Sequence, residues 1–374
     1  MSAARKVRVL HVAETVKGGV SSYLEELVPL QLAEFGPDAV RLVIPAHPAP
    51  DLRDVPPALL HRYPNGRRRL RNAGTLARVL AGPFVRQFAP TVVHAHSSFA
   101  GAAVRLYYAG RRPRPRIVYS PHAWSFFMDV GALERRVYVL AERLLGPLAD
   151  DIVCVSRHEY DQAASLGVGG DRLRLVVSGI ADLPHPTPAP VALPVDWPPG
   201  RKRVLFVGRF DHQKGIDRVD RIMRRLGDAA FGVVVGEPVG ADASPPRFGD
   251  NVAVVGWQPR PVVAALLART DLVLIPSRWE GLTIVGLEAL RAGKAIFATD
   301  VGGMAEIVTP ANGVLVPEPA AERLADAIRA TGPAELAAMG RRSRELFLER
   351  FRVERVHREL AAIYRGDGSR ACAG

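Results

Sequence analysis

At 374 residues the chain is too long for one ordinary core, so two domains are expected. A hydrophobic content of 48% excludes general disorder, and no apolar run reaches the roughly 18 residues of a membrane span. Two distant cysteines, Cys154 and Cys372, exclude a disulfide framework and fit a reducing compartment, while the net charge of +12 raises the question of an anionic partner.

The opening MSAARKVRVLHVAETV is basic but has neither a long apolar core nor a small-residue cleavage site. It reads as a first strand and not as a signal peptide, and a cytoplasmic protein is expected. VRVLHVA, AVRLVIPA, TVVHAHS, RIVYSPH, DDIVCVS and LRLVVSGI are near-continuous apolar runs that predict buried strands. Helix-like stretches such as SSYLEELVPLQLAEFG lie between them, and the alternation predicts βαβ units on a parallel sheet. In ETVKGGVSSYLEEL, Gly18 and Gly19 fall between the first strand and the first helix, where a backbone without Cβ can approach a ligand closely. In VVHAHSS, His94 and His96 share one strand face, open to an acceptor contact or a structural role. A zinc site would need more ligands than are visible.

Val55–Arg116 contains twelve arginines and no acid. Residues 1–190 hold 24 Lys/Arg against 16 Asp/Glu and residues 191–374 hold 26 against 22, so the halves carry +8 and +4. The run is either a solvated face, in a chain with 45 arginines and five lysines, or a basic face for an anionic membrane or phosphorylated acceptor. Nucleic acid is not expected, because no aromatic-interleaved or helix-turn-helix pattern accompanies the arginines.

Seven prolines between Pro184 and Pro199 mark a linker. A second strand series follows (KRVLFVGRF, FGVVVGE, NVAVVGW, DLVLIPS, AIFATD, GVLVP), with helices RVDRIMRRLG, PVVAALLART, TIVGLEALRAG and AERLADAIRATG. The expected domains are residues 1–183, a linker over 184–199, residues 200–345, and a terminal helix with tail over 346–374, within the long run RRSRELFLERFRVERVHRELAAIYRG. Ligands of such sheets bind beyond the carboxyl ends of the strands, most naturally here in a cleft between the domains.

Two motifs of the second series carry chemistry. VGRFDHQKG places Arg209 and Lys214 in a loop after a strand, where a planar fork and a point charge can neutralise a diphosphate without a metal. No acidic D-x-D cluster suggests a metal. SRWEGLTIVGLEALRAG places Glu280 before a helix and Glu288 on it, and the N–H groups of Leu282, Thr283 and Ile284 at the helix start suit an anion. A carboxylate takes two hydroxyls side by side, as a sugar or ribose offers them. Either motif alone is weak.

With GGVSSYLEEL near the start, these two blocks, extended through GKAIFATDVGGMAEIV and NGVLVP, resemble the retaining GT-B glycosyltransferases of family 4 over nearly the whole length. The resemblance implies two doubly wound Rossmann-like domains facing each other across a cleft, an N-terminal acceptor domain and a C-terminal nucleotide-sugar domain, with the terminal helix packing back on the first. It implies that Arg209 and Lys214 bind the donor diphosphate, Glu280 contacts the donor sugar, backbone groups at Gly281, Leu282 and Thr283 lie near the sugar and phosphates, and Glu288 holds the ribose. Gly19 would let the first-domain loop approach the phosphate, with Gly18, His94 and His96 toward the acceptor. His122 of SPHAW matches the family's histidine beside the reacting sugar, although Ala123 stands where aspartate is common. SGIAD departs from the family's N-G-[IV]-D, with Ser178 for the amide and the acid displaced to Asp182.

The implied reaction moves a sugar from a nucleotide-diphosphate donor to a hydroxyl acceptor with retention, needs no cofactor or metal, and serves polysaccharide, glycolipid or natural-product synthesis, with a possible seat at the inner face of the cell membrane. Two rivals stay open: a GT-B sugar-nucleotide epimerase, and a non-catalytic basic module binding membrane or nucleic acid through Val55–Arg116.

Overall fold

The computed structural model describes residues 6–14, 19–46, 52, 55–66, 69–128, 130–182, 192–238 and 247–367. Gly18, Cys372 and most of the proline-rich linker lie outside the described residues. The chain forms two compact units: Met1–Ala181 with Val353–Gly374, and Asp182–Arg352.

The first unit is built on a seven-stranded sheet of β1 (Val9–Ala13), β2 (Val40–Pro45), β3 (Leu60–Tyr63), β4 (Val92–His96), β5 (Arg116–Ser120), β6 (Asp151–Cys154) and β7 (Leu173–Leu175). All its pairs are parallel, in the order β3-β2-β1-β4-β5-β6-β7. Helices on both faces bury these strands, which is why β1 and β4 are closed to solvent along their length. Edge strand β3 was not foreseen: its four residues, LHRY, carry no apolar run and only Tyr63 is buried. On one face Tyr23 and Leu27 of the helix Gly19–Phe35 pack with Val9 and Val92, and Val356 and Leu360 from the end of the chain join them.

The terminal run is two helices, Pro333–Arg350 and Val353–Arg365, and not the single helix expected. The break at Phe351 and Arg352 has no glycine or proline, so the apolar spacing passes through it unmarked. Val353 rejoins the first unit, its N–H donating to Ile180 O at 3.0 Å.

The second unit holds β8 (Lys202–Val207), β9 (Ala230–Val235), β10 (Val252–Val254), β11 (Leu272–Ile275), β12 (Ala295–Thr299) and β13 (Gly313–Val316), in the order β10-β9-β8-β11-β12-β13. Its pairs are also all parallel. In each sheet the first strand lies between the second strand of its unit and a later one. The strand order therefore reverses beside β1 and beside β8, and at such a reversal the loops leaving the strand ends part to admit a ligand.

The arginine-rich run is not a uniform solvated face. Arg105 is fully buried and donates to Glu142 at 2.9 Å, with its guanidinium 4.1 Å from the Tyr119 ring. Arg114 pairs with Asp150 and Arg116 with Asp151. Removing one member of a buried pair strands the other charge. Glu142→Ala is thus expected to lower the unfolding free energy by about 3–5 kcal/mol, read by urea denaturation. A loss below ~1 kcal/mol would show that Arg105 finds water.

Candidate active site

The carboxyl edge of the second sheet gathers most of the residues singled out above. β8 ends at Val207 and its loop runs to the helix Ile216–Leu226, while β11 ends at Ile275 and its turn runs to the helix Ile284–Arg291. Gly215 brings the two together. Its φ is +69°, and a Cβ there would lie 2.3 Å from Pro276 O, so only glycine permits this approach. Arg278 N–H donates to Gln213 O at 2.8 Å, and Gln213 Nε2 donates to Trp279 O at 3.2 Å, fastening loop to turn.

Lys214 is thereby set against Glu280, 66 positions later, with Nζ 2.5 Å from Oε1. Ser277 Oγ donates to the same oxygen at 2.7 Å. Glu280 is only 6% exposed and the Lys214 side chain 20%. A nearly buried carboxylate has lost most of its hydration, so the ammonium and hydroxyl compensate it and fix its orientation. Arg209 lies in the same loop, donating to Gln213 Oε1 at 2.8 Å and pairing with Asp211 at 3.0 Å. Both cations thus hold side-chain partners that an incoming anion would share or displace.

The turn after β11 is held from a third side. Gly281 O accepts from Gly303 N at 3.0 Å, and Gly302, at φ +57°, is so close that a Cβ would lie 1.8 Å from Glu280 O. The helix begins at Ile284, with Thr283 as its cap, so Leu282 and Thr283 precede it instead of opening it. Both are buried, and Glu288 is half-buried on the second turn. Glu280 stands in the turn, so the path to Glu288 is only partly helical.

The first unit offers a different environment at its own carboxyl edge. His11 and His94 are in register on adjacent strands, and the ligand atoms of His11, His94 and His96 lie within 4.8 Å of one another. All three rings are fully buried, and every ring nitrogen among them is hydrogen-bonded. From Ser120 the line runs through His94, Tyr364, Gln31, His11 and His96 to His122, with the three bonds at its His122 end 2.7, 2.9 and 2.9 Å. With the Gln31 amide oxygen facing His11, each neutral imidazole donates from Nε2. His11 donates to Gln31, His96 to His11 Nδ1 and His122 to His96 Nδ1, which leaves His122 Nδ1 as the unprotonated nitrogen. Burial pushes His11 and His122 down to about 4, and His94 and His96 well below the usual imidazole range.

His122 occupies a constrained turn. It and Ala123 have φ of +52° and +77°, uncommon for residues with a Cβ. Glu159 braces them, accepting from Ala123 N at 2.7 Å while its other oxygen accepts from Val155 N at 3.2 Å. The Tyr23 ring meets the His122 ring edge-on with centroids 4.9 Å apart, one turn along the helix that Gly19 opens.

Ser178 is buried, its N–H donating to Val155 O at 2.9 Å. Asp182 accepts both arms of Arg344, at 2.7 and 2.9 Å, and that guanidinium holds its carboxyl below the usual range. It is an anchor for the helix Pro333–Arg350. Sequence reasoning missed Ser277, Gln213, Asp211, His11, Gln31 and Glu159. For His11 a signal existed: a lone histidine on β1 beside the histidine pair on β4.

Comparison with known proteins sets the chain beside glycosyltransferases. The family described as Glycosyl transferases group 1 matches residues 194–334, and Glycosyltransferase Family 4 matches residues 17–182. An uncharacterized 41.2 kDa protein in the cps region of Klebsiella pneumoniae is 27% identical over 317 residues, covering 83% of this chain and 86% of its own. Sucrose-phosphate synthase from Thermosynechococcus elongatus superposes with a TM-score of 0.79 at 20% identity, over 96% of this chain and 98% of that one. Anabaena HepE in complex with UDP-glucose gives 0.75 at 15% identity, over 96% and 99%.

Proposed function

We infer the chemistry from one premise: this chain belongs to glycosyltransferase family 4, with the GT-B fold, and is an enzyme that transfers sugar from a nucleotide sugar. The observation that carries the residue assignment is the Lys214–Glu280 pair at the edge of β8 and β11, with Arg209 in the same loop. Lys214 and Arg209 take the donor diphosphate and neutralise the charge that grows on it as the glycosidic bond breaks. Positive charge from side chains supplies what a divalent ion would otherwise supply, so the reaction proceeds without one. Glu280, oriented by Ser277, accepts from hydroxyls of the donor sugar, the backbone of Gly281, Leu282 and Thr283 lines the sugar and phosphates, and Glu288 holds the ribose. A neighbour of the same fold that binds UDP-glucose supports a nucleoside diphosphate sugar as donor.

Transfer proceeds with retention, the departing phosphate oxygen helping to take the acceptor's proton. No side chain is asked to form a covalent intermediate, so rate comes from positioning and electrostatics. The family resemblance assigns His122 to the reacting sugar and Gly19 to the phosphate, with Gly18, His94 and His96 toward the acceptor. The full burial of His94 and His96 favours support of His122 over direct contact. The acceptor is a hydroxyl on a lipid-linked or phosphorylated carrier in polysaccharide or glycolipid synthesis, as the +8 charge of residues 1–190 favours. Among the described residues no helix is long and apolar enough to cross a membrane.

The assignment is tested by donor hydrolysis and thermal stabilisation with UDP-glucose, GDP-mannose and ADP-glucose. One of them is expected to stabilise the protein and lose its sugar in the presence of chelator; stabilisation by none contradicts the reading. Gly302→Ala tests the geometry of the turn. The new methyl pushes on Glu280 O, and a displacement near 1 Å is expected to cost about 100-fold in turnover with the fold retained. Unchanged turnover would mean that Glu280 needs no fixed position.

A further inference from the structure

The helix Ala132–Leu145 is built inside out. Leu133, Val137, Leu140 and Leu144 are 76, 54, 55 and 68% exposed, and at about 100° per residue they fall within an arc of roughly 60°. The opposite face carries Glu142, buried and held by Arg105 and by Tyr119 Oη at 2.9 Å. A helix that only covered a core would point its leucines inward. This one spends its polar residue on the core and gives four aliphatic side chains to solvent. They are four of the nine large hydrophobic side chains exposed among the described residues, and Met128, just before the helix, is a fifth at 42%.

The charges beside the stripe say what covers it. Arg136 and Arg143 are exposed and lie about 70° and 90° to one side of its centre. With Arg135 and Glu134, the exposed charges of the helix are three positive and one negative. Aliphatic centre and cationic flank match the boundary between headgroups and acyl chains of an anionic membrane, where such helices lie flat. A second copy fits less well. Four side chains present on the order of a few hundred Å², whereas each partner of a stable dimer contributes about 800 Å².

We propose that the helix Ala132–Leu145 seats this protein on an anionic lipid surface, its four aliphatic side chains entering the acyl boundary while Arg136 and Arg143 meet lipid phosphates. This moves the membrane contact away from the arginine run 55–116, part of which is consumed by buried or half-buried ion pairs. The inference deepens the reading of the chain as a nucleotide-sugar transferase, on which it rests, by giving it a lipid surface as the place of its acceptor.

The test is co-sedimentation of the full chain with vesicles of phosphatidylglycerol and phosphatidylcholine, and with phosphatidylcholine alone. The wild type is expected to bind the anionic vesicles. The double variant Leu140→Ser, Leu144→Ser is expected to lose about 100-fold in partitioning, with an unchanged melting temperature because both residues face water. Arg136→Ala is expected to lose about fivefold on the anionic vesicles and little on the neutral ones. Equal sedimentation of wild type and double variant overturns the proposal. So does a wild-type dimer in ultracentrifugation that the double variant dissolves while neither binds vesicles. Thermal stabilisation by UDP-glucose, GDP-mannose and ADP-glucose, measured on the same proteins without vesicles, reports the donor reading separately. Vesicle binding without it sinks the donor reading alone, and donor stabilisation without vesicle binding sinks this inference alone.

Discussion

Lys214→Ala is expected to reduce turnover by about 100- to 1,000-fold while the protein still folds. A cation near 4 Å from a phosphate oxygen gains about 4 kcal/mol of gross attraction at an effective dielectric near 20, and part of that gain appears only as the diphosphate departs. A second effect competes with this explanation, because Lys214 also compensates the nearly buried Glu280. Glu280→Gln separates the two. If Lys214 serves only to compensate Glu280, then Lys214→Ala with Glu280→Gln recovers the turnover of Glu280→Gln alone. If it serves the leaving diphosphate, the double variant is slower than either single one. Arg209→Ala is expected to fall in the same direction. Retention of full rate by both Lys214→Ala and Arg209→Ala would remove the diphosphate from this loop.

Acid is expected to unfold the first unit before the second. In the first unit His11 and His122 are held neutral by burial, each lowered from about 6.5 in an unfolded chain to about 4. Between those values the unfolded state binds more protons than the folded one, so stability rises with pH across the window. The contribution is complete above about pH 6.5 and is lost as pH falls toward 4, at on the order of 3 kcal/mol for each of the two. His94 and His96 shift in the same direction. The sum is comparable to the whole stability of an ordinary domain. Asp217 of the second unit behaves oppositely: Arg278, pairing with it at 2.7 Å, lowers its carboxyl to about 2. Its contribution survives to about pH 4 and is lost only as pH falls further toward 2. Hydrogen exchange across this range should show β1 and β4 opening between pH 6.5 and 4 while β8 and β11 stay protected. Simultaneous opening of both sheets at pH 3 would show that the histidines are not buried neutral in solution.

The parallel sheets were legible because strands buried on both faces must be apolar on both, and runs such as VLHVA and FGVVVG have no other use. Lys214 and Glu280 were legible as types at strand ends. Their pairing was not, since it depends on β11 lying beside β8 and on Gly215 allowing backbone against Pro276. The histidine line was half legible: the spacing of His94 and His96 is visible in the sequence, but the register that adds His11 belongs to the sheet. The helix Ala132–Leu145 shows the limit of periodicity. Its apolar spacing is regular, yet spacing alone does not say which face turns to the core, and that was decided by the buried Arg105–Glu142 pair.

The most direct test is a crystal structure with a bound nucleoside diphosphate sugar, grown with chelator. The expected result places the diphosphate oxygens within hydrogen-bonding distance of Lys214 Nζ and the Arg209 guanidinium, with a sugar hydroxyl on Glu280. Density for the diphosphate away from the loops that follow β8 and β11, with the Lys214–Glu280 pair untouched, would contradict the account.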